Sequence, residues 1–143
     1  MLFRSLLAAP LLIGAPIDRL DPFTLGLLTN DELIAINQDP LGKQAVLVHR
    51  EGPVQIRVKP LDKGEFAIGL FNTGSFGATP QSYFRWNDEA PRAFQFRLAD
   101  AGLAPGSWVV RDVWRQQDLG VLTEQLEVRI PHHGVVDFRV RRP

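Results

Sequence analysis

Thr29–Gln44, TNDELIAINQDPLGKQ, is the stretch at which the chain changes character. Thr29 and Glu32 have the three-residue spacing of a capping box, and Leu33, Ile34 and Ile36 supply an apolar side, so a short helix is predicted here. Pro40 cannot continue that helix, and the residue before it, Asp39, is pushed towards extended geometry. Gly42 admits the backbone angles that a sharp exit requires. Upstream of this hinge the pattern is apolar and helical. Downstream it has period two.

Working upstream, Asp21 is a good N-cap and Pro22 takes the favoured first helical position, with Phe23, Leu25, Leu27 and Leu28 forming a broad apolar side. Leu2 to Ala9 is consistent with the end of another helix. Leu11–Gly14, LLIG, admits two readings. Met1–Pro16 has the early Arg4, apolar run and small residues of a secretory signal, although Pro10 interrupts the run and Pro16 follows the candidate cleavage residue Ala15. A buried parallel strand is also a continuous apolar run. Composition leaves these two readings level. No run reaches the roughly 18 to 20 apolar residues of a membrane span.

Working downstream, short strands alternate with turn signals. Ala45–His49, Val54–Lys59 and Glu65–Asn72 are separated by Glu51-Gly52-Pro53 and Asp62-Lys63-Gly64. In the second strand Val54, Ile56 and Val58 face one way, and Gln55, Arg57 and Lys59 the other. Ser75–Pro91 is irregular, with one strand expected at Ser82–Trp86. Phe94, Phe96 and Leu98 alternate with polar residues, and Ser107–Trp114 follows. Gln116–Gly120 reads as a turn, Val121–Ile130 as one long strand, and Val135–Val140 as the last, after a tight turn at Pro131–Gly134. About eight short strands at regular spacing predict an antiparallel β-sandwich or barrel. Ile56, Phe66, Ile68, Phe96, Val128 and Phe138 are its expected core.

Composition sets outer limits. A chain of 143 residues, 45% hydrophobic and 22% charged, is that of an ordinary globular domain. Sixteen basic and sixteen acidic residues cancel, which gives no support to a nucleic acid or membrane partner. The absence of cysteine excludes disulfides and thiolate metal sites.

The ordered segments AAPLLIG (Ala8–Gly14), LLTNDELIAI (Leu27–Ile36), INQDPLGKQ (Ile36–Gln44), RDVW (Arg111–Trp114), DLG (Asp118–Gly120) and PHHGVV (Pro131–Val136) resemble the α-galactosidase (melibiase) group, glycoside hydrolase family 27. The resemblance implies a mainly β fold: a C-terminal antiparallel β-sandwich, residues 44–143, preceded by the last strand and helix of a catalytic (β/α)8 barrel, residues 1–43. It makes LLIG the eighth barrel strand and favours that reading over a signal. A complete barrel needs about 250 residues. Where the commoner family form has an acidic residue soon after the strand glycine, this chain has Pro16, with Asp18 two positions on.

The resemblance also implies a retaining glycosidase acting on terminal α-galactosides, with carbohydrate and the rest of the barrel as partners of the whole protein. Retaining enzymes hold two carboxylates about 5 to 5.5 Å apart; in the family both aspartates lie on earlier barrel strands, upstream of this sequence. No catalytic, substrate-binding, metal-binding or cofactor residue is therefore assigned. Asp18 is the sole carboxylate near the expected barrel rim, and reads as loop polarity beside Arg19. Asp31 and Glu32 belong to a helix first turn, where negative charge is expected. His132 and His133, adjacent in a turn, are expected to point apart and to hold no metal with His49. Ser5, Ser75, Ser82 and Ser107 lack a nucleophile-elbow pattern. Trp108 and Trp114 share strand parity and read as core; Trp86 is the better candidate of the three for an exposed sugar platform, although packing is the favoured reading for it too. Asp112 reads as a half-buried acid paired to a nearby arginine. The other function class is a free-standing exported sandwich that binds carbohydrate or protein without turnover. Met1–Ile17 is expected to be poorly ordered, docked on the sandwich, or self-associating.

Overall fold

The computed structural model describes residues 2–74 and 90–143. Three short helices, α1 (Leu2–Leu6), α2 (Pro22–Leu28) and α3 (Asp31–Asn37), precede the strands. The strands are β1 (Val46–Glu51), β2 (Val54–Pro60), β3 (Phe66–Asn72), β4 (Arg92–Arg97), β5 (Trp108–Asp112), β6 (Gln117–Leu122), β7 (Gln125–Ile130) and β8 (Val135–Arg141). Among the described residues they form a six-stranded sheet in the order β1-β2-β3-β8-β5-β6 and a two-stranded sheet β4-β7, every pairing antiparallel. This is the β-sandwich that the period-two pattern predicts. The expected strand at Ser82–Trp86 lies outside the described residues.

The core between the sheets follows strand parity. Val54, Ile56 and Val58 of β2, Ile68 and Leu70 of β3, Phe138 and Val140 of β8, and Trp108 and Val110 of β5 meet Phe94, Phe96, Val128 and Ile130 of the smaller sheet. Phe66 packs at its margin and meets Trp108 edge-on, with ring centroids 5.8 Å apart. All six expected core residues are therefore in this core.

The other face of the large sheet carries a second core of Leu6, Leu33, Ile36, Ala45, Leu61, Ala67 and Val113, with Phe71 packed against it. Here the N-terminal helices lie on the sheet, so the expectation of a poorly ordered or loosely docked N-terminus is only partly met. Leu6 is wholly buried, whereas Leu12 and Ile13 are exposed. Leu11–Gly14 forms no strand in this chain. A lone extended segment has no ladder to join, because strand structure exists only through a hydrogen-bonded neighbour.

Three local expectations are corrected. Asn30, not Thr29, caps α3: its Oδ1 accepts the Leu33 N–H at 3.0 Å, while Thr29 ends α2 by donating to the Leu25 carbonyl at 2.9 Å. Glu32 is thereby released from a capping role. The span Val121–Ile130 is two strands with a bend at Thr123–Glu124, and the expected turn Gln116–Gly120 is largely β6. Its exposed residues are those of a sheet edge, where one-sided burial is weak and the alternation faint. Lys59 lies, as expected, on the face of β2 opposite Val54, Ile56 and Val58, and there it is wholly buried beneath the helices.

Asp21 caps α2 as predicted, accepting from Thr24 N–H at 3.0 Å and from the Thr24 hydroxyl at 2.6 Å. The hinge also follows its residues. Gln38 ends α3, and Asp39 accepts from Leu41 N–H at 3.0 Å with one oxygen and from Asp62 N–H at 2.9 Å with the other. Gly42 turns the chain at φ 60°. One carboxylate thus shapes the turn and ties it to the β2–β3 loop.

Candidate functional site

The helix–sheet seam and the open half of the same face are where charged groups gather. Lys59 Nζ donates to the Ser5 carbonyl at 3.2 Å and also to the Ile36 carbonyl. These carbonyls lie at the C-terminal ends of α1 and α3, where intrahelical donors run out, and the Ser5 carbonyl also accepts from Ala8 N–H at 3.2 Å. The ammonium is therefore a clamp on two helix ends. Burial lowers its proton affinity, and the Asp39 charge opposes that. Asn37 completes the tie by donating to the Ala9 carbonyl at 2.8 Å and the Arg4 carbonyl at 3.3 Å.

Beyond the helices the face opens into a cleft of about 420 Å³ lined by Glu32, Glu65, Val109, Arg111, Asp118, Arg139 and Arg141. Its volume lies within the roughly 300–1,000 Å³ of small-molecule sites. Five of its charged groups, Glu32, Glu65, Arg111, Asp118 and Arg139, are already paired with one another. Arg111 Nε donates to the two Glu32 oxygens at 2.9 and 2.8 Å, and Nη1 donates to Asp118 at 3.0 Å. Those bonds, Glu32 first, hold the guanidinium above its usual proton affinity. Arg139 Nε donates to Glu65 at 2.5 Å. A carboxylate whose oxygens are occupied by a guanidinium has no oxygen turned towards the open cleft. This cleft has the chemistry of a structural ion-pair network.

The residues weighed as candidates fall out as follows. Asp18 is exposed beside Arg19, 3.6 Å away. Asp31 and Glu32 occupy the first turn of α3, with Asp31 accepting from Gln116 at 2.6 Å. Asp112 is buried and accepts from Trp114 N–H, Arg115 N–H and the Arg115 guanidinium at 2.7 Å, the structural pairing expected. Trp108 is core, but the chain turns after Asp112 and leaves Trp114 exposed, so strand parity does not extend to it. Trp86 lies outside the described residues, as do Ser75 and Ser82.

His132 and His133 are a correction. Their rings do not point apart; the centroids are 4.1 Å from each other, edge-on. His133 has φ 50°, which breaks the alternation assumed for extended neighbours. A Cβ on Gly74 would lie 2.7 Å from His132 and 2.6 Å from His133, so both rings cover that glycine. No group of three or more His, Asp or Glu side chains that could hold a metal ion occurs among the described residues. Sequence reasoning missed the Lys59 clamp and Asp137, a wholly buried acid on β8; a polar residue at an outward position gave no sign of the helical cover.

Comparison with known proteins places this geometry. Residues 51–140 match the family described as alpha galactosidase C-terminal beta sandwich domain. The chain is 38% identical over 137 residues to a Dictyostelium discoideum protein named "Probable alpha-galactosidase", covering 92% of this chain and 32% of that protein. It is 33% identical over 139 residues to alpha-galactosidase 2 of Arabidopsis thaliana, covering 96% of this chain and again 32% of the relative. The structure superposes on alpha-galactosidase I from Mortierella vinacea with a TM-score of 0.81 at 23% identity, over 97% of this chain and 33% of that one. It also superposes on a family 27 β-L-arabinopyranosidase from Geobacillus stearothermophilus with a TM-score of 0.74 at 24% identity, over 94% of this chain and 27% of that one. The shared fold therefore does not select the sugar. The chain spans about a third of the length of the curated relatives it matches. It belongs to the α-galactosidase (melibiase) family, glycoside hydrolase family 27, and corresponds to that family's C-terminal part.

Proposed function

We propose that this chain is the non-catalytic β domain of a retaining glycoside hydrolase acting on terminal α-galactosides, with residues 44–143 as the sandwich and 1–43 as the last β/α unit of the catalytic barrel. The observation that carries the reading is the coverage: more than nine-tenths of this chain matches about a third of an α-galactosidase. The surface of the helical segment supports it. Leu11, Leu12, Ile13, Leu27, Leu28 and Ile34, rimmed by Arg4 and Gln38, line a mainly apolar groove of about 490 Å³ at the LLIG segment, a surface suited to packing against further barrel units. The sandwich then acts as a rigid base for the last barrel unit, through the second core and the Lys59 clamp.

The test compares two purified proteins in release of nitrophenol from p-nitrophenyl α-galactoside. One is this chain; the other joins it to the preceding two-thirds of the Dictyostelium relative. Turnover is expected from the chimera alone, because hydrolysis needs a nucleophilic carboxylate and a proton donor flanking one anomeric carbon. Turnover by this chain that disappears in Asp18→Ala would overturn the proposal.

A further inference from the structure

Asp137 is wholly buried, and among the described residues neither carboxylate oxygen has a hydrogen-bond partner of good geometry; the adjacent Phe138 N–H favours the charged form but is outweighed by burial. It projects from β8 onto the helix-covered face, directly opposite Gly69 of β3. Gly69 is in turn covered by α1: a Cβ there would lie 2.5 Å from Leu6 Cδ1. The Asp137 carbonyl accepts from Val113 N–H, and Val113 belongs to the same apolar core as Leu6, Leu33, Ile36 and Ala67. The carboxyl thus forms part of the floor on which the helical layer sits.

The charged groups around this floor are engaged elsewhere. On β5, Arg111 is held by Glu32 of α3 and Asp118 of β6, and Asp112 adds a second negative charge. On β2, Lys59 serves the α1 and α3 carbonyls, and Arg57 lies over the Phe3 ring at 5.7 Å. Arg139, two residues along β8, pairs with Glu65, and Arg4 of α1 donates to the Pro10 carbonyl. An ionised carboxylate without a donor in an apolar core is strongly disfavoured, so the proton is retained instead. Burial first, and the Asp112 charge second, hold Asp137 protonated well above the ordinary aspartate range.

We propose that Asp137 is a proton-controlled latch between the helical layer and the sandwich. The neutral acid lets α1 remain seated on β3 and β8; the carboxylate requires water, which it reaches when α1 lifts. The sign follows from linkage. The seated state binds the proton more tightly than the lifted state, so seating is complete below the ordinary aspartate value of 3.8 and is lost as pH rises towards the seated value. The β-sandwich core, on the opposite face, stays folded when α1 lifts. The latch stands on the seam geometry and holds whatever sugar the parent enzyme takes.

The test is amide hydrogen exchange by NMR on the full chain over a range of pH, corrected for the intrinsic pH dependence of exchange. Leu7 N–H, bonded to the Phe3 carbonyl, and Ala45 N–H, bonded to the Leu6 carbonyl, report the helical layer. Ile68 and Phe138 report the sandwich. In the wild type the opening constant at Leu7 and Ala45 is expected to rise about tenfold per pH unit within the window, then level off. Asp137→Asn abolishes that slope. Asp112→Asn removes the charge that favours the Asp137 proton, and so makes the levelling occur at lower pH. A flat wild-type profile overturns the latch, as does a rising slope that persists in Asp137→Asn; Lys59, whose proton affinity burial lowers, would give a slope of the opposite sign. Should Asp137→Asn fail to fold, Asp137→Ser takes its place, and an unshifted profile in Asp112→Asn overturns the proposal independently.

Discussion

Leu6 of α1 rests against Gly69 of β3 so closely that a Cβ on the glycine would lie 2.5 Å from Leu6 Cδ1. The Phe71 ring flanks the same position at 2.7 Å. The absent side chain lets a helix approach a sheet face that is otherwise a neighbour of Asp137 and Arg57. Two segments that read as separate in sequence therefore share one core.

Gly69→Ala should unseat α1 while leaving the sandwich folded. Releasing Leu6 from burial forgoes roughly 1.5–3 kcal/mol. Relief of Gly in a strand, ordinarily worth about 0.5–1 kcal/mol, is the smaller opposing effect. Loss of exchange protection at Leu7 and Ala45, with protection retained at Ile68 and Phe138, is the outcome to measure. Gly69→Ala with undiminished protection at all four amides would show that Leu6 moves aside freely.

Lys59→Met should destabilise the helical layer by about 1–3 kcal/mol, because the Ile36 carbonyl loses its donor while the Ser5 carbonyl keeps the Ala8 N–H. The methionine keeps much of the apolar stem, so the loss belongs to the ammonium. Denaturant unfolding with equal slopes for mutant and wild type gives the number. A gain in stability would mean that the desolvated charge costs more than the two bonds contribute, as happens for some buried ion pairs.

Arg111→Lys should lower the melting temperature by roughly a few degrees. Lysine cannot present the planar fork that reaches both Glu32 oxygens and Asp118 together. The difference should shrink in high salt, because the network is partly exposed. Equal melting temperatures at low salt would show that the network is electrostatically idle.

What the sequence by itself determined is whatever depends on neighbours along the chain. Alternation in Val54–Val58 and in Phe94–Phe96 marked the inner faces, because residues two apart on a strand share a side. Asp21 before Pro22 set the start of α2, and Asp39-Pro40 with Gly42 the end of the helical segment. The motif order carried the family. Only the tertiary structure decided which polar residues were covered. Lys59 and Arg57 have the same parity, yet Lys59 lies under α1 and α3 and is wholly buried. Asp137 is likewise an outward residue on its own strand and becomes part of a core when the helices fold across it. Leu11–Gly14 shows the converse: its residues have the composition of a buried strand, but hydrogen-bond pairing needs a second strand, and none is beside it among the described residues. Period and capping are local quantities, whereas burial is settled by whatever packs on top.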